Sequence, residues 1–382
     1  LDTRKILELS DYGLSVSSDS SKKLVAFLER YDELNRASYP ATRSSHHLGW
    51  QEQGGFLLPG AFYVGAEDDI GEVIIEAGQG ARELDGGLAT AGTYPDWLAA
   101  IDALKGHPLP FVALYASCAA PLLDILQQSA FVVDFNGETS QGKSTSLRLA
   151  ASVWGRPEDD FPTCFHSWNM TPVWIEQTCG YLHSLPIILD ETKKARNQEE
   201  VSQIIYEFAS GHGRGRGAKL GGVTKTQTWR TIMISSGEGP LSEMSRHAGV
   251  RARVLSITGS PLGKGGGATA EYLREALARN YGWFGQRVIE YLMAIQVDWD
   301  QIRSMWAQTR DRYLMSSTGA VSRRHCASLA VLAVAAQICH HLGMPRPEKD
   351  PLELLLARLD VVDERADIPT RAVMDIVSWC SA

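Results

Sequence analysis

The chain has 382 residues, 44% of them hydrophobic and 21% charged, which is enough apolar material for a large core and excludes wholesale disorder. At roughly 150 residues per unit, that length predicts two or three structural units. The formal net charge is -8, from 45 acidic and 37 basic side chains, which excludes a surface that coats nucleic acid or an anionic membrane everywhere. A local basic groove stays possible.

The first 45 residues are polar and mixed and predict a strand or two with loops. Residues 47–64 alternate Gly, aromatic and aliphatic residues, the pattern of short strands punctuated by Gly and Pro. The acidic, Gly-rich stretch 66–86 predicts an exposed loop or hairpin. A helix start follows at Thr93 or Tyr94, with Pro95 in the first turn and Trp97, Leu98 and Ile101 on one face. A second helix, 110–126, is almost wholly apolar and small, and is expected to be buried. From 130 the pattern becomes strand, loop, helix. Beyond about 268 it is helical, interrupted at 316–319 and 343–351.

The six cysteines, at 118, 164, 179, 326, 339 and 380, include no pair separated by two residues, and no nearby His completes a zinc pattern. Such scattered thiols suit a reducing cytoplasm. The longest apolar run, 329–338, is too short for a bilayer, and no signal peptide opens the chain, so no membrane partner is expected. Leu1 rather than Met stands first, as expected of a fragment or a trimmed chain.

The strongest signal follows the apolar strand 131–135. Gly137-Glu138-Thr139-Ser140-Gln141-Gly142-Lys143-Ser144 has the phosphate-loop spacing of two glycines, Lys and Ser, and Thr145 opens an amphipathic helix to 153. The glycines let backbone N–H groups turn onto phosphates, and the helix presents its positive end. Lys143 can reach the β and γ phosphates, and the Ser144 hydroxyl can ligate Mg²⁺, so ATP and Mg²⁺ are the expected cofactors.

A second apolar strand, 185–189, ends in Asp190-Glu191. Asp190 is expected to hold the metal and Glu191 to orient or deprotonate the attacking water, which would make the chain a hydrolase rather than a passive binder. A third strand, 229–234, ends in Ser235-Ser236. In oligomeric NTPases of the AAA+ class a polar residue there contacts the γ-phosphate or the lytic water, and either serine could serve.

Arg251 and Arg253 stand just before the strand 254–257, where an arginine could enter a neighbouring subunit's site and stabilise transition-state charge. Arg253 is the first choice, Arg251 the second and Arg246 the third. Arg324, with Arg323, opens a helix over 324–342 and could sense phosphate from a lid. From Phe208 to Gly237 there is no acidic residue. That stretch carries Arg214, Arg216, Lys219 and Lys225 among glycines, and 219–225 reads as a basic hairpin able to touch a nucleic-acid backbone.

With these residues in place, the chain resembles the bacterial family catalogued as domain of unknown function 927, found in mobile elements. The matching stretches are 47–50, 92–126, 135–155, 167–171, 185–191, 205–217, 235–243 and 253–257, in order. The resemblance implies an α/β fold: an AAA+-type P-loop core behind a β-rich N-terminal part, with a helical C-terminal lid. Some members resemble the minichromosome-maintenance type of ring helicase. The expected units are a β-rich part at 1–90, a helical linker at 91–126, the ATPase core at 127–265 and the lid at 266–382.

The expected function is therefore a cytoplasmic, ATP-hydrolysing ring, a hexamer, acting as a helicase or translocase on single-stranded DNA of a mobile element. The alternatives are an AAA+ machine that remodels protein, a defence or signalling switch, and a nucleotide-binding assembly module without DNA unwinding.

Overall fold

Five parallel strands form the central sheet in the order β5-β1-β4-β3-β2, where β1 is Phe131–Asn136, β2 His166–Ser167, β3 Ile187–Asp190, β4 Ile232–Gly237 and β5 Val254–Thr258. The computed structural model describes residues 5–39, 43–52, 54–65, 73–76, 79–138, 141–215, 226–244, 251–295, 298–316 and 322–365.

Every residue of β1 and of β4 is buried, as expected for parallel strands covered on both faces, and this explains why both read as continuous apolar runs rather than alternating ones. Three helices connect the first four strands: α1 (Lys143–Ser152), α2 (Pro172–Leu182) and α3 (Gln198–Phe208). Thr171 caps α2 by accepting from the Trp174 N–H, and Asn197 caps α3 by accepting from that of Glu200. Because all five strands run the same way, the segments that follow them emerge at one edge. That edge is where ligands of open α/β sheets bind.

The apolar run 110–126 forms two helices rather than one, Pro110–Ala119 and Leu122–Ile125. Pro121 has no N–H to donate to the first helix, and it stands as N-cap of the second. Pro110–Ala119 is buried along its whole length because it is covered by α1, by β4 and by the C-terminal helix Ser322–His341. The C-terminal part is helical: Gly267–Arg279, Trp283–Ala294, Trp299–Met315, Ser322–His341 and Pro351–Arg365.

Contacts divide the chain after Arg43. Where a strand or two with loops were expected over 1–45, one short strand, Arg43–Ser45, stands at the boundary, and the first unit is otherwise helical: a 3₁₀ segment Lys5–Tyr12, an α-helix Ser21–Asn35 and a short turn Arg36–Ser38. The helix has no Gly or Pro and is rich in Leu, Lys and Glu. Ion pairs at helical spacing add to it, Arg30–Glu33 at 2.9 Å and Asp32–Arg36 at 2.6 Å.

The second unit holds the expected short strands as a small antiparallel sheet of Gly49–Trp50, Phe56–Leu58 and Ala61–Tyr63. The expected loop at 66–86 contains a strand, Val73–Ile75, and a helix, Gln79–Gly87. No helix among the described residues is long and apolar enough to cross a membrane.

Candidate functional site

The loop after β1 turns on two glycines in the left-handed region, Gly137 at φ 139° and Gly142 at φ 88°. A side chain at Gly142 would strike Leu262, and one at Gly137 would press on the backbone of Gly259, so both positions also need glycine for space. Lys143, the first residue of α1, is buried. Its Nζ donates to the carbonyls of Gly137 at 2.8 Å and Glu138 at 2.6 Å, so the ammonium points into the loop. Gln141 donates to Glu138 within the loop and Thr145 lies in the first turn of α1, while Thr139 and Ser140 lie outside the described residues.

Ser144 Oγ lies 3.1 Å from both Oδ1 and Oδ2 of Asp190, at the end of β3. Between β1 and β3 runs β4, and its Ser236 donates to Asp190 Oδ1 at 2.5 Å while accepting from the Glu191 N–H at 3.1 Å. One hydroxyl therefore holds both carboxylate residues. The neighbouring Ser235 points to the opposite face and accepts from Trp168 Nε1 at 2.9 Å, which removes it from the pair of candidate serines.

Glu191 has φ 66° and ψ 83°, a left-handed conformation seldom adopted by Glu. Its side chain caps the short 3₁₀ turn Thr192–Lys194 by accepting from the Lys193 N–H, and Lys193 pairs with Glu238 beyond β4. Strained backbone of this kind persists where surrounding structure over-determines it, and here Ser236 and the turn do so.

A further buried acid lies below the loop. Asp134, inside β1, accepts through Oδ2 from Asn136 Nδ2 and from the Leu241 N–H, both at 3.0 Å, while its Oδ1 has no partner among the described residues. Burial pushes its pKa up to about 7, against the pull of those two hydrogen bonds and of the Lys143 charge.

The structure does not bring the arginines to this edge. Val254, at the start of β5, lies opposite Val132, and Thr258 at its end lies opposite Asn136. Arg251 and Arg253 therefore stand at the far edge of the sheet, roughly 16 Å from their own loop at about 3.3 Å per residue. Arg253 lies over the Tyr206 ring at 5.4 Å. Arg324 is exposed at the same far edge, since the ring of His325 beside it meets the Arg251 carbonyl at 3.3 Å.

The middle of the last described helix approaches the loop instead: Arg358 Nη1 donates to the Thr258 carbonyl at 3.3 Å. No motif marks Arg358, so the sequence alone offered no signal for it. Arg246 lies outside the described residues.

Of the basic segment, the base is described as an antiparallel pair, with the Gly213 N–H donating to Gln227 at 2.8 Å and a bridge between His212 and Thr228. Arg214 is engaged with Glu207 at 2.8 Å and 2.5 Å, so its charge is largely compensated. Arg216, Lys219 and Lys225 lie outside the described residues.

The model of the family described as "Domain of unknown function (DUF927)" matches residues 1–229. The chain belongs to the DUF927 family. That match spans the loop, α1 and the Asp190-Glu191 pair, and ends just before β4. Of the solved structures, the DUF927 chain is similar to "SCCmec type IV Cch - active helicase", with a TM-score of 0.76 at 22% identity, over 99% of this chain and 70% of that one. At that identity the likeness is one of fold: an α/β core with a parallel sheet and a helical C-terminal part. No curated protein matches this DUF927 chain.

Proposed function

We propose that the chain is a P-loop ATPase of the AAA+ type, working as a hexameric ring that moves along or unwinds DNA of a mobile element. The observation that carries this is the meeting of the Ser144 hydroxyl with both oxygens of Asp190, 46 residues away, at the lip of a glycine-turned loop. A hydroxyl and one carboxylate, completed by phosphate oxygens, are the donors Mg²⁺ takes in nucleotide sites. The insertion of β4 between the loop strand and the acidic strand, with Ser236 aimed at both carboxylate residues, supports the AAA+ type. In this reading the core spans 127–265 and the lid 266–382, in a cytoplasmic protein.

The residues divide the work. Loop N–H groups and Lys143 bind and orient the phosphates of ATP, and Ser144 and Asp190 hold Mg²⁺. The metal supplies neutralisation of the charge that develops on the phosphoryl oxygens. Glu191 takes the proton of the attacking water, a role that requires its carboxylate to leave the Lys193 N–H. Ser236 keeps Asp190 and the Glu191 backbone in register while it does so.

Arg253, with Arg251 and Arg324 on the same side, reaches the site of the next copy rather than its own, because the polarity of β5 turns Arg251 and Arg253 away from the loop and the His325 contact keeps Arg324 near them. Arg216, Lys219 and Lys225, the basic residues of this acid-free segment, contact the backbone of single-stranded DNA. The similarity to a protein described as an active helicase supports DNA as the substrate.

The test is the ATPase rate with and without single-stranded DNA, for the wild type, Lys143→Ala and the double variant Lys219→Ala/Lys225→Ala. The expected result is no turnover in the first variant, and basal turnover without DNA stimulation in the second. A wild type that neither binds single-stranded DNA at low salt nor responds to it would overturn the DNA reading.

A further inference from the structure

A column of hydrogen bonds runs through the sheet beneath the phosphate loop. The Leu241 N–H donates to Asp134 Oδ2, Asn136 Nδ2 donates to the same oxygen, Thr258 Oγ1 donates to Asn136 Oδ1 at 2.7 Å, and Arg358 donates to the Thr258 carbonyl at 3.3 Å. The backbones follow the same line, with the Gly259 N–H donating to the Asn136 carbonyl at 2.8 Å. Asp134 and Asn136 are fully buried, whereas Thr258 and Arg358 are exposed.

The column joins three parts of the chain that meet nowhere in the sequence. At one end is the segment after β4, which follows Ser236. In the middle is Asn136, whose next residue, Gly137, gives its carbonyl to Lys143. At the other end is the helix Pro351–Arg365, the last described element. A shift in Asn136 is passed to Gly137 and to the Lys143 ammonium, because one peptide and one hydrogen bond separate them.

Breaking the bond from Thr258 leaves the amide oxygen of the fully buried Asn136 without that partner, which couples the strand end to the column. Asn136 spends its amide on Asp134 and its oxygen on Thr258, so its rotamer is set from both sides. Serine or valine in place of Thr258 would fit the same space, but only serine would keep that second bond.

We propose that Thr258 and Arg358 are positioning residues for the nucleotide loop, through which the last helix sets the affinity of the site for ATP. This rests on the reading of the loop as an ATP site. The chemistry of the column asks nothing of DNA. Its signature is therefore a change in ATP affinity, read as the KM for ATP, with kcat little altered, because the residues touch neither the metal pair nor the water-activating Glu191.

The experiment measures KM and kcat for ATP, without DNA, in the wild type, Thr258→Val, Thr258→Ser, Arg358→Ala and the double variant Thr258→Val/Arg358→Ala, with Lys143→Ala as control. The melting temperature is taken with and without Mg²⁺ and ATP. KM is expected to rise about three- to tenfold in Thr258→Val and in Arg358→Ala, the range of one lost hydrogen bond. Thr258→Ser is expected to hold KM near the wild-type value. The double variant is expected to fall short of the product of the two single effects, as coupled residues do.

The nucleotide-induced rise in melting temperature is expected to shrink in step with KM. Wild-type KM in both single variants, multiplicative effects in the double, or a loss of melting temperature equal with and without nucleotide would overturn the proposal while leaving the ATP site standing. A wild type that neither binds nor turns over ATP any better than Lys143→Ala would overturn both.

Discussion

The hydroxyl of Ser236 donates to Oδ1 of Asp190 at 2.5 Å and receives the backbone N–H of Glu191 at 3.1 Å. A single side chain on one strand thus places two acids on the next. Alanine at position 236 would free both, at the loss of a charge-assisted hydrogen bond. Turnover in Ser236→Ala is expected to fall about ten- to hundredfold, with KM for ATP changed far less. Steady-state kinetics check this, and equal losses in Ser235→Ala would contradict it, since Ser235 meets Trp168 instead.

Glu191 combines a carboxylate at the sheet edge with a left-handed backbone. Glu191→Gln keeps the shape and removes the base. It is expected to bind ATP with near wild-type affinity and to hydrolyse it about 10² to 10⁴ times more slowly. Fluorescent-nucleotide binding beside phosphate release decides the matter, and normal turnover would remove the residue from catalysis.

Arg253 lies at the edge of the sheet away from its own loop, which makes a role in trans testable by mixing. Arg253→Ala and Glu191→Gln are each expected to be inactive. Mixed rings would contain sites with an intact Glu191 from one subunit and an intact Arg253 from its neighbour. Activity is therefore expected to return on mixing, and a mixture as dead as its parts would argue against the assignment.

Asp134 ties folding stability to pH. Its carboxyl has a pKa pushed from 3.8 to about 7 by burial, so the folded state holds a proton that the unfolded chain has already released. Its contribution is complete below about pH 4 and is lost as the pH rises through 7. Asp134→Asn removes that loss. It is expected to melt above the wild type at pH 8, by an amount on the order of 2–4 kcal/mol, and to keep only about a third of that advantage at pH 5. Melting curves at both pH values measure it.

Two histidines, the buried His166 and the half-buried His183, work in the opposite sense. Burial pulls His166 down to about 4, and burial, then the neighbouring His47 and Arg230, pull His183 down to about 3. Both are neutral when folded, so their contribution is present above about pH 6.5 and is lost as the pH falls toward 3–4. His166 packs against Trp174 and Phe161 with Nδ1 unpartnered among the described residues. His166→Phe is expected to flatten the acid side of the stability profile, and an unchanged slope between pH 6.5 and 4 would count against it.

The glycine-turned loop and the acidic pair were legible because their sequence signals are local. Gly137, Gly142, Lys143 and Ser144 are spaced by what one turn and one helix start require, and Asp190-Glu191 ends an apolar run. The strands β1, β3, β4 and β5 were visible for the same reason, as buried parallel strands are continuous apolar words. The first helix was missed because its apolar residues, Phe27, Tyr31 and Leu34, stay exposed and the surrounding polarity hides the period.

What the amino-acid sequence determined by itself was therefore a set of local groupings: a glycine-turned loop running into Lys143 and Ser144, and an apolar strand that ends in Asp190-Glu191. What only the tertiary structure decided was which groups meet. The order of the strands, with β4 between β1 and β3, selects Ser236 over Ser235. The polarity of β5 turns Arg251 and Arg253 away from their own loop. The packing of the last helix brings Arg358 to Thr258, a hundred residues away. Sequence spacing carries no information about such meetings, because strand order and helix docking are settled by the burial of whole faces rather than by any neighbouring residue.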